Sequence, residues 1–247
     1  MRPSCHHPTL FKRILTRFRR QPRGQSFVEL MLVVVILALL LAGVVEYGFM
    51  LNNYLHVVDG AREAARYASS DNPFLMNTDG SIANFYNAPF YYKATAKAAI
   101  TMDPQVTLHP ANADDIVISV LSVTSGNLPV RFPSSDPNGW SLCAHYAAFA
   151  AYFPSLTPPE PVPVQLSDSN WSSGCTVHTS QLTSANIQSR MDAAAPNTGV
   201  VLVEIYYNYP QLLKLPVLTS IVPDPIPLYV YTIMPLSAAE PTQTPAP

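Results

Sequence analysis

The chain opens with a sharp change from basic to apolar residues. Residues 1–24 hold seven Lys or Arg side chains and no acid, whereas residues 30–45 (LMLVVVILALLLAGVV) contain no polar side chain. The apolar run reaches from Leu30 to Leu51 with Glu46 as its one interruption. It is therefore long enough to cross a bilayer, which takes about 20 helical residues. Because no proline falls within it, the pattern predicts one continuous helix from Ser26 to Ala68.

Only part of this helix is needed to cross the membrane. We assign residues 25–51 to a transmembrane helix and residues 52–70 to its extramembrane continuation. In the continuation, apolar residues recur at steps of three and four, which predicts a stripe on which a domain packs. The stripe comprises Leu51, Tyr54, Leu55, Val58, Ala61, Ala65 and Ala68.

Residues 71–239 are predicted to form an α+β domain with a small antiparallel sheet packed on the helix. Three segments rich in β-branched and aromatic residues are the strand candidates: Ile116–Val123, Val200–Tyr209 and Leu228–Met234. Their alternation predicts a sheet with one covered face. Short helices are predicted at Phe90–Ile100 and Ser184–Ala194, after a polar loop over Ser69–Pro89.

Two other segments have a composition of their own. An insertion at about residues 130–180 holds two cysteines, both tryptophans and a Pro-rich run at 154–163, which predicts a surface loop in polyproline conformation. Residues 240–247 are predicted to be a disordered tail.

Charge divides the chain in the same place as hydropathy. The leader at 1–24 takes seven of the 14 basic residues, which leaves seven basic and 16 acidic residues after Gly24, a net charge of −9. Lys and Arg hold their side of a span in the cytoplasm, so we expect a single-pass protein of the cytoplasmic membrane with its C-terminal domain outside. An acidic exported domain argues against a nucleic-acid partner. A conventional signal peptide fits poorly, because residues 43–49 (GVVEYGF) offer no small-x-small cleavage site.

Glu29 stands at the border between the leader and the apolar run. An acid near the start of a span is disfavoured by roughly 2–3 kcal/mol, so it is expected to have a cationic partner. A cut after Gly24 would create such a partner, the α-amino group of Gln25, four residues before Glu29. This arrangement of a glycine, a cleavage point and a glutamate at the fifth mature position resembles the type IV prepilins. A plain signal anchor, with Glu29 snorkelling to the interface, is the alternative.

Two further segments narrow the resemblance. Val44-Val45-Glu46-Tyr47-Gly48, followed by Asp59-Gly60-Ala61-Arg62-Glu63-Ala64-Ala65-Arg66-Tyr67-Ala68, is similar to the TadE-like family of minor pseudopilins in tight-adherence (Flp) pilus systems. Leu30 stands where the major pilins of these systems carry Tyr, which argues against a major subunit. The chain is also too long for one.

The resemblance implies a non-enzymatic subunit that acts in pilus assembly and adhesion. Its implied partners are a prepilin peptidase, other pilin and pseudopilin subunits, and inner-membrane assembly proteins. Gly24 and Gln25 would flank the cut, and Glu29 would set the register of assembly. The alternative function is an uncleaved, single-pass surface protein with an adhesive or ligand-binding extracytoplasmic domain. Glu46, about 26 Å beyond Glu29 along a helix, is expected among the outer headgroups, with a salt bridge to another subunit as a second possibility.

Cys143 and Cys175 are the two cysteines of the predicted exported domain, and Cys5 lies in the leader. An even pair outside the cytoplasm predicts a disulfide, which would stabilise the fold by roughly 3–4 kcal/mol. His145 and His178 would complete a set of four zinc ligands, which is the alternative. The compartment favours the disulfide, so no metal or other cofactor is expected.

The exported domain carries no catalytic sequence motif that we could identify. Cys175 and His178 could form a thiol nucleophile and base, but paired cysteines outside the cell favour a disulfide. Asp114-Asp115 and residues 77–80 (NTDG) are too sparse for a calcium loop and are interpreted as turn residues. We therefore predict that the protein is not an enzyme.

Overall fold

A computed structural model gives the fold of the chain. It describes residues 25–79, 81–124, 127–167, 169–190, 197–214, 216–220 and 222–240. The predicted leader at 1–24 and residues 241–247 of the predicted tail lie outside the described residues.

The N-terminal helix is continuous, as predicted. Helix α1 spans Gln25–Ser69, 45 residues. The chain divides into two compact units between Val45 and Glu46, and each is described by itself. In the first unit, the described residues form the apolar part of α1. The second unit begins at Glu46 and holds the rest of α1 and the α+β domain.

Four further α-helices and seven strands follow α1 within the described residues. The helices are α2 (Ala88–Met102), α3 (Leu142–Tyr152), α4 (Ser184–Arg190) and α5 (Pro216–Thr219). The strands are β1 (Leu75–Met76), β2 (Ile82–Asn84), β3 (Asp115–Val123), β4 (Val130–Phe132), β5 (Trp140–Ser141), β6 (Thr198–Tyr209) and β7 (Ile226–Pro235). The three predicted strands and the helix at 90–100 are confirmed within a few residues at each end. The segment at 69–89 is not only a loop, because it contains the β1–β2 hairpin.

The main sheet is antiparallel, with the order β4-β3-β6-β7 and with β5 also paired to β3. One face shares a core with α1 and α2, and its strand residues include Ile116, Ile118, Val203 and Ile205. The prediction of a single covered face is wrong. Leu121 and Leu202 on the other face are fully buried against Leu182, just before α4, and Ile187, within α4. Central strands covered on both faces lose the alternation of buried and exposed residues.

The predicted stripe of α1 is confirmed only in its C-terminal part. Ala61, Ala65 and Ala68 are buried as predicted, and Val57 and Ala64 are buried as well, whereas the predicted members Leu51, Tyr54 and Leu55 are exposed. The charged residues of this part of α1 lie toward solvent, where Asp59–Arg62 (3.7 Å) and Glu63–Arg66 (2.6 Å) form i,i+3 ion pairs. The helix therefore packs through small residues, which permit a close approach.

The insertion at 130–180 contributes regular secondary structure to the domain. It supplies β4 and β5 to the sheet and contains α3, which the sequence interpretation missed. Ser141 caps α3 by accepting a hydrogen bond from the backbone N–H of Ala144 at 3.2 Å. The Ser cap and the Ala-rich run that follows are the local signals that could have revealed this helix.

Candidate functional site

The apolar part of α1 is the most exposed hydrophobic surface of the described chain. Its side chains from Phe27 to Val44 are mostly more than half exposed, and Ser26–Ser69 is long and apolar enough to cross a membrane. In water such a surface would be strongly unfavourable, at about 25 cal/mol per Å² of apolar area. The helix therefore fits a single-pass membrane anchor. The natural environment of its apolar surface is lipid or other apolar helices.

The predicted cleavage site lies at the N-terminal end of this helix. Gly24 is outside the described residues, whereas Gln25 is the first residue of α1. Glu29 follows within the same helix and is exposed among apolar neighbours. In an α-helix, residues four apart lie on one face and are about 6 Å apart along the axis. An amine on Gln25 would therefore lie one helical turn from the Glu29 carboxylate.

Glu46 is buried in the second unit, with 6% of its surface exposed. Its Oε1 accepts hydrogen bonds from the Tyr209 hydroxyl at 2.9 Å and from the Leu212 N–H at 2.8 Å. Its Oε2 accepts one from the Leu213 N–H at 2.8 Å. The expectation that this carboxylate needs no special partner is wrong, because these donors replace its hydration.

The Glu46 contacts join the first residue of the second unit to the chain that leaves β6. The partners are 163 to 167 positions away in sequence, so no local pattern could have indicated them. Backbone N–H groups at a strand exit have lost their ladder partners, and a carboxylate that accepts two of them satisfies both. Glu46 therefore fixes the segment after Tyr209 against α1.

The structure joins Cys143 and Cys175 in a disulfide, with their Cα atoms 5.8 Å apart. The bond connects the first turn of α3 to the segment after Trp171, across a sequence separation of 32. Aromatic packing holds the same region, since the Trp171 ring stacks on Tyr146 with centroids 5.9 Å apart.

The two histidines of the zinc alternative have other contacts. His145 Nδ1 lies 3.1 Å from the Ser141 carbonyl oxygen, and its ring stacks on Trp140. His178 Nε2 lies 2.8 Å from the Ala113 carbonyl oxygen, and its ring stacks on Tyr206 at 4.3 Å. Both sulfurs are committed to the disulfide, so these four side chains do not form a ligand set. No group of three or more metal-ligating side chains occurs among the described residues.

Asp115 is a buried structural acceptor, and its interpretation as a turn residue is wrong. Its Oδ2 accepts from the Ser141 hydroxyl at 2.6 Å and the His178 N–H at 3.0 Å, while Oδ1 accepts from the Cys143 N–H at 3.1 Å. These bonds tie β3 to both segments joined by the disulfide. Burial raises the pKa of Asp115 to about 6, although the hydrogen bonds from Ser141, His178 and Cys143 oppose the rise.

Asp114 is also buried and accepts from backbone N–H groups. Its Oδ2 accepts from the His109 N–H at 2.7 Å and its Oδ1 from the Asn208 N–H at 2.8 Å. Burial raises its pKa to about 6 as well, against the opposing effect of these hydrogen bonds. The sequence shows a pair of adjacent acids, but their burial depends on strand pairing between β3 and β6.

The comparison with known families bears on the segment that contains Glu29 and Glu46. Residues 24–66 match the sequence model of the family described as TadE-like protein. Over these residues the chain is similar to TadE-like proteins. The match confirms the resemblance drawn from the prepilin-type start, the Glu-Tyr-Gly step and the Ala-Arg helix.

The TadE-like match supports a protein associated with Tad pili, in a family that is structural rather than enzymatic. It begins at the glycine of the predicted cleavage site and ends at Arg66, within α1. No curated protein and no solved structure matches the chain.

Proposed function

We propose that this TadE-like chain is a membrane-anchored minor pseudopilin of a tight-adherence pilus, acting in pilus assembly and adhesion. A prepilin peptidase would remove the leader between Gly24 and Gln25. The mature chain would then associate with other pilin and pseudopilin subunits and with inner-membrane assembly proteins. The observation that carries the proposal is that the family match begins at Gly24 and covers a helix with exposed apolar side chains.

The proposed topology follows from charge. Seven basic residues precede the apolar run, and the net charge after Gly24 is −9. Moving the acidic part outward and retaining the basic part in the cytoplasm obeys the positive-inside rule. The chain would thus cross the cytoplasmic membrane once, with its N-terminus cytoplasmic and its α+β domain extracytoplasmic. The disulfide between Cys143 and Cys175 fits an oxidising compartment.

The proposed role of Glu29 is electrostatic. A carboxylate in the low-dielectric part of a membrane needs a nearby cation, and hydrolysis after Gly24 would create one on Gln25. The partner amine would belong either to the same chain or to the subunit that packs beside it. In the second case the pairing would fix the axial register between two helices, because a shift along the axis would separate the charges.

Glu46 has a different role in this proposal. Its carboxylate is occupied by Tyr209, Leu212 and Leu213 of the same chain. We therefore assign it to positioning the domain's own backbone rather than to joining subunits.

N-terminal sequencing of the membrane-purified chain, produced with and without a prepilin peptidase, tests the proposal. With the peptidase, we expect the sequence QSFVEL and loss of 24 of the 247 residues, which leaves 223. The Gly24→Leu variant should stay uncut, because a large side chain then stands at the scissile bond. The Arg20→Lys variant keeps the leader charge and should be cut normally.

An intact Met1 in the presence of an active peptidase would instead favour the uncleaved surface protein. A cut beyond Val45 would indicate a conventional signal peptide. Either result would overturn the pseudopilin assignment.

A further inference from the structure

We propose that the second unit binds an extended acidic segment of a partner protein in a groove between α2 and the Pro-rich run that follows α3. This groove, here called the lysine groove, has a volume of about 580 Å³. It is lined by Tyr67 of α1, by Lys93, Lys97 and Ile100 of α2, and by residues 160–164. All of these residues lie in the second unit, so the proposal is independent of the membrane anchor and goes beyond the proposed function.

The lysine groove holds two cations that have no ion-pair partner among the described residues. Residues 25–247 contain 16 acids and seven Lys or Arg residues. Five of those seven form an ion pair or a hydrogen bond. Lys93 and Lys97 form neither with any described residue, although Lys97 Nζ lies 5.8 Å from the centre of the Tyr67 ring. Their ammonium groups therefore keep donors for a negatively charged ligand.

Two carboxylates lie near these lysines, and neither neutralises them. Glu63 is paired with Arg66 at 2.6 Å. The hydrogen bond from Arg66 is the main cause that lowers the pKa of Glu63, and the charge of Lys97 adds only a minor part. Glu160 is exposed at the rim of the groove and forms no ion pair within the described part of the chain. The two ammonium groups thus remain available to an acidic ligand.

The spacing of the lysines selects the pattern of the ligand. Lys93 and Lys97 are four residues apart on α2, so they lie on one face about 6 Å apart along the helix axis. In an extended peptide, side chains two residues apart lie on one side and are about 6.6 Å apart. Two carboxylates separated by one residue can therefore face the two ammonium groups at once. The residues between and beside them point the other way, toward the Pro-rich run.

The surface on that side is apolar. Ile100 and Val164 are 57% and 82% exposed, and Phe153 is buried beneath the groove. Ion pairs between exposed side chains contribute little free energy, so apolar contacts must supply much of the affinity. The ligand that fits best alternates acidic and apolar residues.

The Pro-rich side of the groove is held in place before any ligand binds. The Glu160 N–H donates to the Phe153 carbonyl oxygen at 3.0 Å, and the Leu166 N–H donates to that of Pro163 at 2.8 Å. The Tyr146 hydroxyl donates to the Leu166 carbonyl oxygen at 2.7 Å. Proline also restricts the backbone between these bonds. A surface fixed in this way loses little conformational entropy when it binds a peptide.

Binding of the full detergent-solubilised chain to an array of pentapeptides tests the proposal. One half of the array has the pattern x-Glu-x-Glu-x with apolar residues at each x, and the other half replaces both glutamates by glutamine. We expect members of the acidic half to bind about tenfold more tightly than their glutamine counterparts. Raising the NaCl concentration from about 0.05 M to about 0.5 M should reduce this preference, because salt screens exposed charges.

Two double variants locate the contact. Lys93→Met/Lys97→Met should lose the preference for acidic peptides, because methionine keeps an unbranched side chain and the helix propensity but removes the charge. Arg62→Met/Arg66→Met is the matched control. It removes the same charge at the same spacing from another helix, but those arginines are already in ion pairs. It should bind the acidic peptides like the parent chain, and near-UV circular dichroism checks that both variants are folded.

Two further variants test direct contact. The charge-reversed Lys93→Glu/Lys97→Glu variant should prefer x-Lys-x-Lys-x peptides over the acidic ones. Val164→Ser changes no charge and should weaken binding of the acidic peptides severalfold, because it removes an exposed apolar side chain from the groove.

Several results would overturn the proposal. Equal binding of the parent chain to the two halves of the array would do so without any variant. Acidic-peptide binding that survives in Lys93→Met/Lys97→Met, or that falls equally in Arg62→Met/Arg66→Met, would place the contact elsewhere or reduce it to general attraction between charges. Binding of polygalacturonate that requires both lysines, in the absence of peptide binding, would identify an anionic polysaccharide as the occupant instead. None of these results bears on cleavage after Gly24, so the two proposals fail separately.

Discussion

At the scale of single residues, buried carboxylates fix the end of β6. Asp114 accepts a hydrogen bond from the backbone of Asn208, and Glu46 accepts two from Leu212 and Leu213. Asp115, which opens β3, binds the segments on either side of the disulfide. Burying a carboxylate is costly unless donors replace its hydration, and backbone N–H groups do so here without introducing a second charge.

Asp114 and Asp115 predict that the domain becomes less stable as pH rises. The pKa of Asp114 and of Asp115 in the folded chain is about 6, against ordinary values of 3.8. The folded chain therefore holds these protons more tightly than the unfolded chain. Their contribution to stability is full below pH of about 4 and is lost as pH rises through about 6, by about 3 kcal/mol for each group. Urea unfolding of the detergent-solubilised chain between pH 4 and 7.5, followed by near-UV circular dichroism, measures this slope.

The Asp115→Asn variant should lose about half of that slope, because asparagine does not titrate and Asp114 remains. The Asp114→Asn variant should do the same. A variant whose unfolding free energy keeps the full pH dependence of the parent would show that the replaced carboxyl does not titrate in this range.

At the scale of secondary-structure elements, the small residues of α1 determine how closely it packs on α2. A Cβ atom added at Gly60 would lie 2.6 Å from Met102 Cγ and 3.1 Å from the Ala98 carbonyl oxygen. Both of those residues are fully or almost fully buried, so neither can move without disturbing the core. The neighbouring alanines at 61, 64 and 65 are also fully buried. Gly60 is therefore a packing residue, although glycine weakens an isolated helix.

We predict opposite effects for two glycine substitutions in α1. Gly60→Ala should lower the free energy of unfolding by about 1–3 kcal/mol, the usual cost of overpacking a core. Gly48→Ala should raise it by about 0.5–1 kcal/mol through helix propensity, since nothing lies within 4 Å of its added Cβ. Thermal unfolding of both variants in the same detergent compares them. Equal shifts in the melting temperature would mean that the α1–α2 contact tolerates a methyl group at Gly60.

At the scale of the whole molecule, the two glutamates of α1 differ in what they contact. Glu46 is buried by its own domain, whereas Glu29 is exposed on the apolar part of the helix. In the proposed function the cation for Glu29 is the amine of mature Gln25. The match of residues 24–66 to TadE-like proteins places both glutamates within the family segment.

Replacing Glu29 by Gln should leave membrane insertion intact and weaken assembly. The apolar run is unchanged, but the carboxylate that would pair with the Gln25 amine is gone. Crosslinking to other pilin subunits in isolated membranes is the measurement, with resistance to carbonate extraction as the check on insertion. Glu160→Gln, at an exposed glutamate of the domain, is the matched control and should change neither result. Undiminished crosslinking by the Glu29→Gln variant would show that Glu29 does not set the register.

Local patterns explain the elements that the sequence predicted correctly. The run at 30–45 is apolar throughout and contains no proline, so every residue in it is compatible with one continuous helix. Strands β3, β6 and β7 follow β-branched and aromatic composition, which is also a local signal. The disulfide partners were predicted because residues 25–247 contain only two cysteines.

The family segment was predicted from its residues in the same way. The glycine, the glutamate and the Ala-Arg helix stand in a fixed order along one chain segment, and the match at 24–66 covers that segment. The long apolar run predicts a single-pass anchor, and the charge on its two sides predicts which end stays in the cytoplasm. Both the run and the charges are read directly from the sequence.

The remaining features depended on contacts between distant residues, so only the tertiary structure decided them. The face of α1 that is buried follows from the close approach at Gly60 and from the bonds between Glu46 and the chain after Tyr209. The burial of Asp115 follows from where α3 and the disulfide segment meet β3. Sequence determines where a charge or an apolar side chain lies along the chain. Whether that group is solvated or hydrogen-bonded in a core depends on which distant backbone atoms the fold brings within about 3 Å.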